Sequence, residues 1–212
     1  MAFKRDPGLS PYLGKMQDSL NALYQEMIRY SPDLTLQEWT EFKKDLKPTQ
    51  IKKGNVIFPR TKICHEVLFI VEGIAASEHF DGQENIINRF FSSRNLCTNV
   101  VSFLIQELDG DQLFAVTNLN GILIPYDQFH TCYLTSNGIG LYFRKKLLEN
   151  LIEAKKFVSM KTLSGVEAKL QFLQENYPEI LLEAPWKHIA SFMGVTPAWL
   201  SRNLKKKKGT SP

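Results

Sequence analysis

The chain has 212 residues, and 43% of them are hydrophobic, which is enough for one large or two modest cores. Its 26 lysines and arginines against 22 aspartates and glutamates give a net charge of +4, which permits nucleic-acid binding without arguing for it. The apolar runs are too short for a membrane span, and the charged start does not read as a signal peptide, so we expect a cytoplasmic protein.

Two helices are predicted before any strand. Apolar residues recur at helical spacing between residues 12 and 30, and the tripeptide Ser31-Pro32-Asp33 then ends the pattern. Thr35, with Glu38 three residues later, has the spacing of a capping box, which predicts the start of a second, shorter helix.

Short apolar runs with turn signals between them follow. They predict strands at residues 56–58, 67–71, 74–80, 86–91, 113–116 and 121–125. Gly54 marks a turn, and Asp81-Gly82 is a strong hairpin signal. The near-regular spacing predicts an all-β barrel or jelly roll, with a short helix around residues 100–106.

The three cysteines do not form a recognisable metal or redox motif. Cys64, Cys97 and Cys132 are far apart, and an all-cysteine iron–sulfur cluster normally needs four thiolates. We therefore expect no metal site, and the cofactor, if there is one, stays unidentified. The chain also has no catalytic motif of the common enzyme classes, and nothing near Cys97 marks a lowered thiol pKa. We expect that the protein is not an enzyme.

A long helical pattern begins near residue 137 and carries a wide apolar stripe. Its candidate interface positions are Leu141, Leu147, Leu148, Leu151, Ile152, Ala154 and Val158. A helix that is apolar on more than one face has two explanations, packing on its own barrel or a seam between two copies of the chain. The pattern alone favours neither.

The last quarter of the chain predicts two short helices joined by a tight turn. Gly194 can supply the positive φ of that turn, and Thr196 and Pro197 have the residue types of an N-cap and a first helical position. The inward side of the first helix would carry Ile189, Ala190 and Met193. This spacing is typical of a helix-turn-helix, in which the second helix enters the DNA major groove.

The second predicted helix offers a polar face. Arg202 could pair bidentately with guanine O6 and N7, and the hydroxyl of Thr196 suits a phosphate oxygen. A lysine run at 205–208 would add salt-sensitive affinity. The predicted DNA-contacting residues are His188, Thr196, Pro197, Ala198, Ser201, Arg202, Lys205 and Lys206. For His188 a structural role is the alternative, and for the whole segment the alternative is a surface helical hairpin with a solvated arginine.

Taken together, these motifs resemble the Crp/Fnr family of bacterial transcription regulators over nearly the whole chain. Residues 53–58, 69–74 and 81–82 resemble the opening strands of its cyclic-nucleotide-binding-like domain, and residues 188–202 resemble its helix-turn-helix. The resemblance implies an α+β chain with a jelly-roll sensor domain at 1–136, a long dimerisation helix at 137–161 and a helix-turn-helix domain at 162–212.

The resemblance also implies a function. The expected protein is an effector-responsive homodimer that reads an inverted repeat in double-stranded DNA through the helix at 197–205, with half-sites about 34 Å apart. The long helix then becomes the dimer seam. A small molecule is the expected effector, and RNA polymerase is a further candidate partner.

The sequence departs from the family pattern in the phosphate loop and at two positions of the second helix. Residues 92–102 match the phosphate loop of the cyclic-AMP-binding members but have neither its Gly-Glu nor its Arg-x-Ala, so we do not expect cyclic AMP as the ligand. The candidates for contacting another effector are Arg89, Arg94, Asn95, Thr98 and Asn99. Ala198 replaces a frequent base-reading Glu, and Asn203 replaces a core Ile. Both favour an alternative, a ligand-binding module without sequence-specific DNA binding.

Overall fold

The computed structural model describes the backbone of residues 9–208 and the side chains of residues 14–202. Its β domain consists of two antiparallel four-stranded sheets. The strands are β1 (Lys47–Ile51), β2 (Val56–Phe58), β3 (Glu66–Glu72), β4 (Ala75–Phe80), β5 (Asn85–Phe91), β6 (Leu96–Cys97), β7 (Asp111–Ala115) and β8 (Leu119–Pro125). One sheet has the order β1-β8-β3-β6, and the other has the order β2-β7-β4-β5. This arrangement confirms the predicted α+β class.

Helices cover the outer face of the first sheet. They are α1 (Leu9–Tyr30), α2 (Leu36–Phe42), a 3-10 turn (Lys43–Asp45), α3 (Val100–Ile105), α4 (Tyr126–Thr135) and α5 (Gly138–Thr162). The middle of β3 is buried on both faces, with Phe69 and Ile70 fully inaccessible, because α1 and α5 pack opposite the second sheet. This position explains the continuous apolar run of the strand. The capping box of Thr35 and Glu38 is present at the start of α2.

Four helices follow the long helix α5. They are α6 (Val166–Asn176), α7 (Pro178–Glu183), α8 (Trp186–Met193) and α9 (Pro197–Lys208). Gly194 ends α8 with a φ of 69°, and the Thr196 hydroxyl accepts a hydrogen bond from the Trp199 amide at 3.2 Å, so the predicted turn and cap are both present. Pro185 lies at the N-cap of α8.

The second sheet is buried on both of its faces. Alternate residues point to opposite sides, so Leu113 faces the interior of the β domain while Phe114 joins a second core. That second core also contains Phe192 of α8 and Phe157 of α5. The C-terminal helices therefore pack directly on the outer face of the β domain. Among the described residues, no helix is both long and apolar enough to cross a membrane.

Candidate nucleic-acid interface

The second helix of the helix-turn-helix is anchored on one side and open on the other. Leu200 of α9 is fully buried, as are Ile189 and Ala190 of α8, and this apolar contact holds the two helices against each other. The small side chain of Ala190 lets α9 cross α8 at close range. The opposite side of α9 faces solvent.

The predicted DNA-contacting residues of α9 share this open side. Thr196, Pro197, Ala198, Ser201 and Arg202 are all exposed. The Arg202 guanidinium donates to the Ala198 carbonyl at 3.3 Å within the same helix, a contact that a base edge could replace. The side chains of Lys205 and Lys206 lie outside the described residues.

His188 has a different environment. Its ring is half-buried and meets the ring of Phe114 edge-on, with centroids 5.3 Å apart. Its Nδ1 atom is buried and has no hydrogen-bond partner among the described residues. Burial, followed by the charges of Lys187 and Lys53, lowers the pKa of His188 and favours the neutral ring. The ring therefore contacts the β domain, which agrees with the structural role that was the alternative to DNA contact for His188.

The two arginines proposed for effector binding contact different parts of the fold. Arg89 donates to the Asn150 side chain of α5 at 2.8 Å and lies over the ring of Phe91 at 4.6 Å. Burial lowers the pKa of Arg89 from its usual value. Arg94 is exposed, adopts a left-handed backbone with φ of 67°, and its carbonyl accepts a hydrogen bond from Lys146 at 3.0 Å.

The three polar candidates nearby are engaged within the protein. The Thr98 hydroxyl donates to the Glu66 carbonyl at 3.0 Å. The Asn99 side chain caps α3 by accepting from the Ser102 amide at 3.2 Å, and the Asn95 carbonyl accepts from the Ile70 amide. Each of the five candidates thus contacts a different neighbour in the fold, and their role in effector binding stays a prediction.

One cavity was not anticipated from the sequence. A space of about 530 Å³ lies between α2, α4 and the start of α5, and its rim carries Glu38, Glu41, Asp45 and Asp127. These carboxylates come from segments more than eighty residues apart, and no local motif joins them. Cys132 also lines this cavity, and burial raises the pKa of its thiol.

Cys97 is fully buried inside the β domain. This burial raises the pKa of its thiol much further, so Cys97 does not form a reactive thiolate.

The long helix α5 has one covered and one uncovered apolar face. Tyr142, Phe143 and Phe157 pack into the two cores. On the other side, Leu148 is 61% exposed and Leu151 is 67% exposed. The further exposed members of the predicted seam are Ile152 and Val158, and the half-buried members are Leu141, Leu147 and Ala154. Four large apolar side chains exposed on one helix indicate an uncovered contact surface.

These features define a protein in which a β-roll domain precedes a helix-turn-helix unit with an open second helix. No family model matches the chain, and no curated protein matches it either. Solved structures, however, are similar over most of its length.

A structure from Eubacterium rectale ATCC 33656 assigned to the Crp/Fnr family of transcriptional regulators is 14% identical, with a TM-score of 0.64 over 84% of this chain and 85% of that one. FixK2 from Bradyrhizobium japonicum is 13% identical, with a TM-score of 0.62 over 76% and 83%. A cyclic nucleotide-binding domain containing protein from Listeria monocytogenes EGD-e is 14% identical, with a TM-score of 0.61 over 91% and 89%. The chain therefore has the fold of Crp/Fnr regulators, as the motifs predicted.

Proposed function

We propose that the protein is a DNA-binding transcription regulator that acts as a homodimer and reads an inverted repeat through α9. The observation that carries this proposal is the exposure of Ser201 and Arg202 on a helix whose opposite side is held by the fully buried Leu200. A rigid helix with a free polar edge is what major-groove reading requires.

The roles of the exposed residues follow from their chemistry. Arg202 reads guanine through two parallel hydrogen bonds, and Ser201 reaches a neighbouring base edge or phosphate. The exposed Thr196 hydroxyl at the start of α9 binds a backbone phosphate, which sets the register of the helix. Ala198 has no polar group, so base reading falls to Ser201 and Arg202.

The uncovered face of α5 supports a homodimer. Leu148, Leu151 and Val158 lie on one side of this helix and would meet the same residues of a second copy around a two-fold axis. A parallel pair of long helices would place the two α9 helices on one side of the dimer. Half-sites one DNA turn apart, about 34 Å, fit such an arrangement.

A small molecule bound by the β domain would bias the position of the helix-turn-helix unit. Support comes from the shared core of sheet and C-terminal helices, which couples the two directly. We infer that the protein is not an enzyme. The similar structures are described as a regulator of transcription or as a cyclic nucleotide-binding domain protein, and Cys97 is shielded from solvent.

Selection of duplexes from a random pool, followed by a salt titration, tests the proposal. A specific regulator enriches a palindromic sequence, and binding to it survives salt that abolishes binding to an unselected duplex of equal length. The same loss with salt for both duplexes would instead favour a ligand-binding module that does not read DNA sequence.

A further inference from the structure

One side of α8 holds the helix-turn-helix unit on the outer face of the second sheet. The contact is made by His188, Ser191 and Phe192, which are spaced so that they share this side of the helix. The Ser191 hydroxyl accepts a hydrogen bond from the Ile87 amide of β5 at 3.0 Å, and the Phe192 ring meets that of Phe90 edge-on, with centroids 5.2 Å apart. His188 is the member of this row whose charge can change near neutral pH.

The ring of His188 has no acceptor for a second ring proton. It lies against Phe114 of β7, with ring centroids 5.3 Å apart, and its Nδ1 atom is buried without a hydrogen-bond partner among the described residues. A neutral imidazole can carry its one proton on Nε2, whereas the charged form carries a proton on both nitrogens. While α8 lies on the sheet, protonation therefore places a charged N–H donor in a buried position where Phe114 offers no oxygen or nitrogen.

The charges that act on this ring add to the cost of protonation. Both are positive, Lys187 on α8 itself and Lys53 in the turn between β1 and β2. Burial, followed by these two lysines, lowers the pKa of His188 from 6.5. The contact between α8 and the sheet therefore favours the neutral ring.

The cleft beside His188 also contains two carboxylates, those of Glu78 and Glu84. Glu78 has Arg60 at 3.6 Å and accepts from the Asn85 side chain at 3.0 Å. Within the part of the chain that the structure describes, no hydrogen bond or ion pair joins either carboxylate to the His188 ring, and neither is among the charges that shift its pKa. A proton on His188 thus has no acidic neighbour to stabilise it.

We propose that His188 is a pH-sensitive contact: when its ring takes up a proton, α8 separates from the sheet and releases the helix-turn-helix unit. Protonation favours the separated arrangement, because there the ring meets water and its pKa returns toward 6.5. The attachment is therefore strongest above pH 6.5 and weakens as the pH falls below it. The position of the unit then responds to pH as well as to an effector, a consequence that rests on the proposed DNA-binding function.

Hydrogen exchange at the Ile87 amide measures this attachment without DNA, because its bond to Ser191 must break before the amide exchanges. Dividing each rate by the intrinsic rate at the same pH removes the chemical effect of pH on exchange. We expect the protection of this amide to fall by about three- to tenfold between about pH 7.5 and about pH 5.5, the range that one histidine proton allows. Constant protection over this range would overturn the proposal.

The variant His188→Phe keeps an aromatic ring on Phe114 but cannot take up a proton, so the fall in protection should disappear. The matched control is His130→Phe, which removes an exposed imidazole that stacks on Tyr126 of α4, and it should keep the wild-type response. If His188→Phe responds to pH as the wild type does, His188 is not the group that controls the attachment.

A titration of the His188 ring in the wild type, followed by NMR, needs no variant. Its midpoint should lie below pH 6.5, because the attached arrangement resists protonation. A midpoint at or above this value would contradict the proposal, since protonation would then not oppose the attachment.

Failure of this proposal can be told apart from failure of the function on which it rests. If the wild type binds a selected duplex while the protection of Ile87 does not respond to pH, only the role of His188 fails. If the protection responds as expected but no duplex is bound, the pH-sensitive contact stands and the DNA-binding function fails.

Discussion

Lys146 of α5 and Glu26 of α1 form a buried ion pair, with Nζ 2.9 Å from Oε1 and side-chain exposures of 6% and 3%. The same ammonium donates to the Arg94 carbonyl at 3.0 Å and lies 3.2 Å from Glu149. Burial acts to lower the pKa of Lys146, but the hydrogen bond to Glu26 and the neighbouring groups outweigh it and raise the pKa above its usual value. The charged lysine thus joins the long helix to α1 and to the loop after β5.

Replacing one partner of this pair should cost much more than replacing both. Lys146→Met leaves the buried Glu26 carboxylate with only the exposed Arg29 guanidinium, 3.0 Å away, and we expect a loss toward the lower end of about 3–5 kcal/mol in the free energy of unfolding. The double variant Lys146→Met/Glu26→Met should recover most of that loss. Urea unfolding measures both.

The control for this prediction is the exposed pair of Lys156 and Glu153, in which Lys156 is 45% exposed. Lys156→Met should cost less than about 1 kcal/mol, as surface pairs generally do. A similarly small cost for Lys146→Met would contradict the structural role assigned to the buried pair.

Glu38 should make the stability of the protein depend on pH in the acid range. Its carboxylate accepts from the Ser136 hydroxyl at 2.7 Å and from the Thr35 and Gly138 amides, and these bonds lower its pKa from 4.5 to about 2. Because the folded pKa lies below the unfolded one, the stabilisation is complete above pH 4.5 and is lost as the pH falls toward 2.

The variant Glu38→Gln should flatten the fall of the melting temperature between pH 5 and pH 2, roughly the window set by these two pKa values. Glu41→Gln, on the same helix but without such bonds to the start of α5, is the control and should keep the wild-type slope. An unaltered slope in Glu38→Gln would show that other carboxylates dominate acid unfolding.

A charge on the uncovered face of α5 should prevent dimer formation. Leu151 is 67% exposed in the single chain, so Leu151→Glu disturbs little within one copy but buries a carboxylate in the proposed seam. Sedimentation velocity should show a dimer for the wild type and a monomer for this variant. Leu182→Glu, at an 84% exposed position on α7, makes the same chemical change and should remain dimeric.

Arg202 should decide both the affinity and the base preference of DNA binding. Arg202→Ala should weaken binding to the selected duplex by about 1–3 kcal/mol and relax the preference at one base pair per half-site. Arg202→Lys keeps the charge but cannot form the bidentate pair, so it should retain more affinity while losing the preference. Unchanged affinity and unchanged preference in Arg202→Ala, measured by anisotropy on duplexes with single base changes, would refute this role.

Two strands were not predicted from the sequence because neither has a local signal of its own. Strand β1 contains Lys47 and Pro48 and has no apolar run, yet it forms the edge of its sheet, where a proline without an amide proton is tolerated. Strand β6 has only two residues, and its pairing depends on β3 rather than on its own composition. The short helices α4 and α7 were also not predicted.

The sequence alone determined the helix-turn-helix and the antiparallel β domain, because their signals are local. Gly194, Thr196 and Pro197 specify a turn and a helix start within a few residues, and the alternation of short apolar runs specifies strands. Only the tertiary structure decided the surroundings of His188 and Arg89, and which face of α5 stays uncovered. Those outcomes depend on contacts such as that between Ile87 and Ser191, which are 104 residues apart and meet only when the sheet and the C-terminal helices pack together.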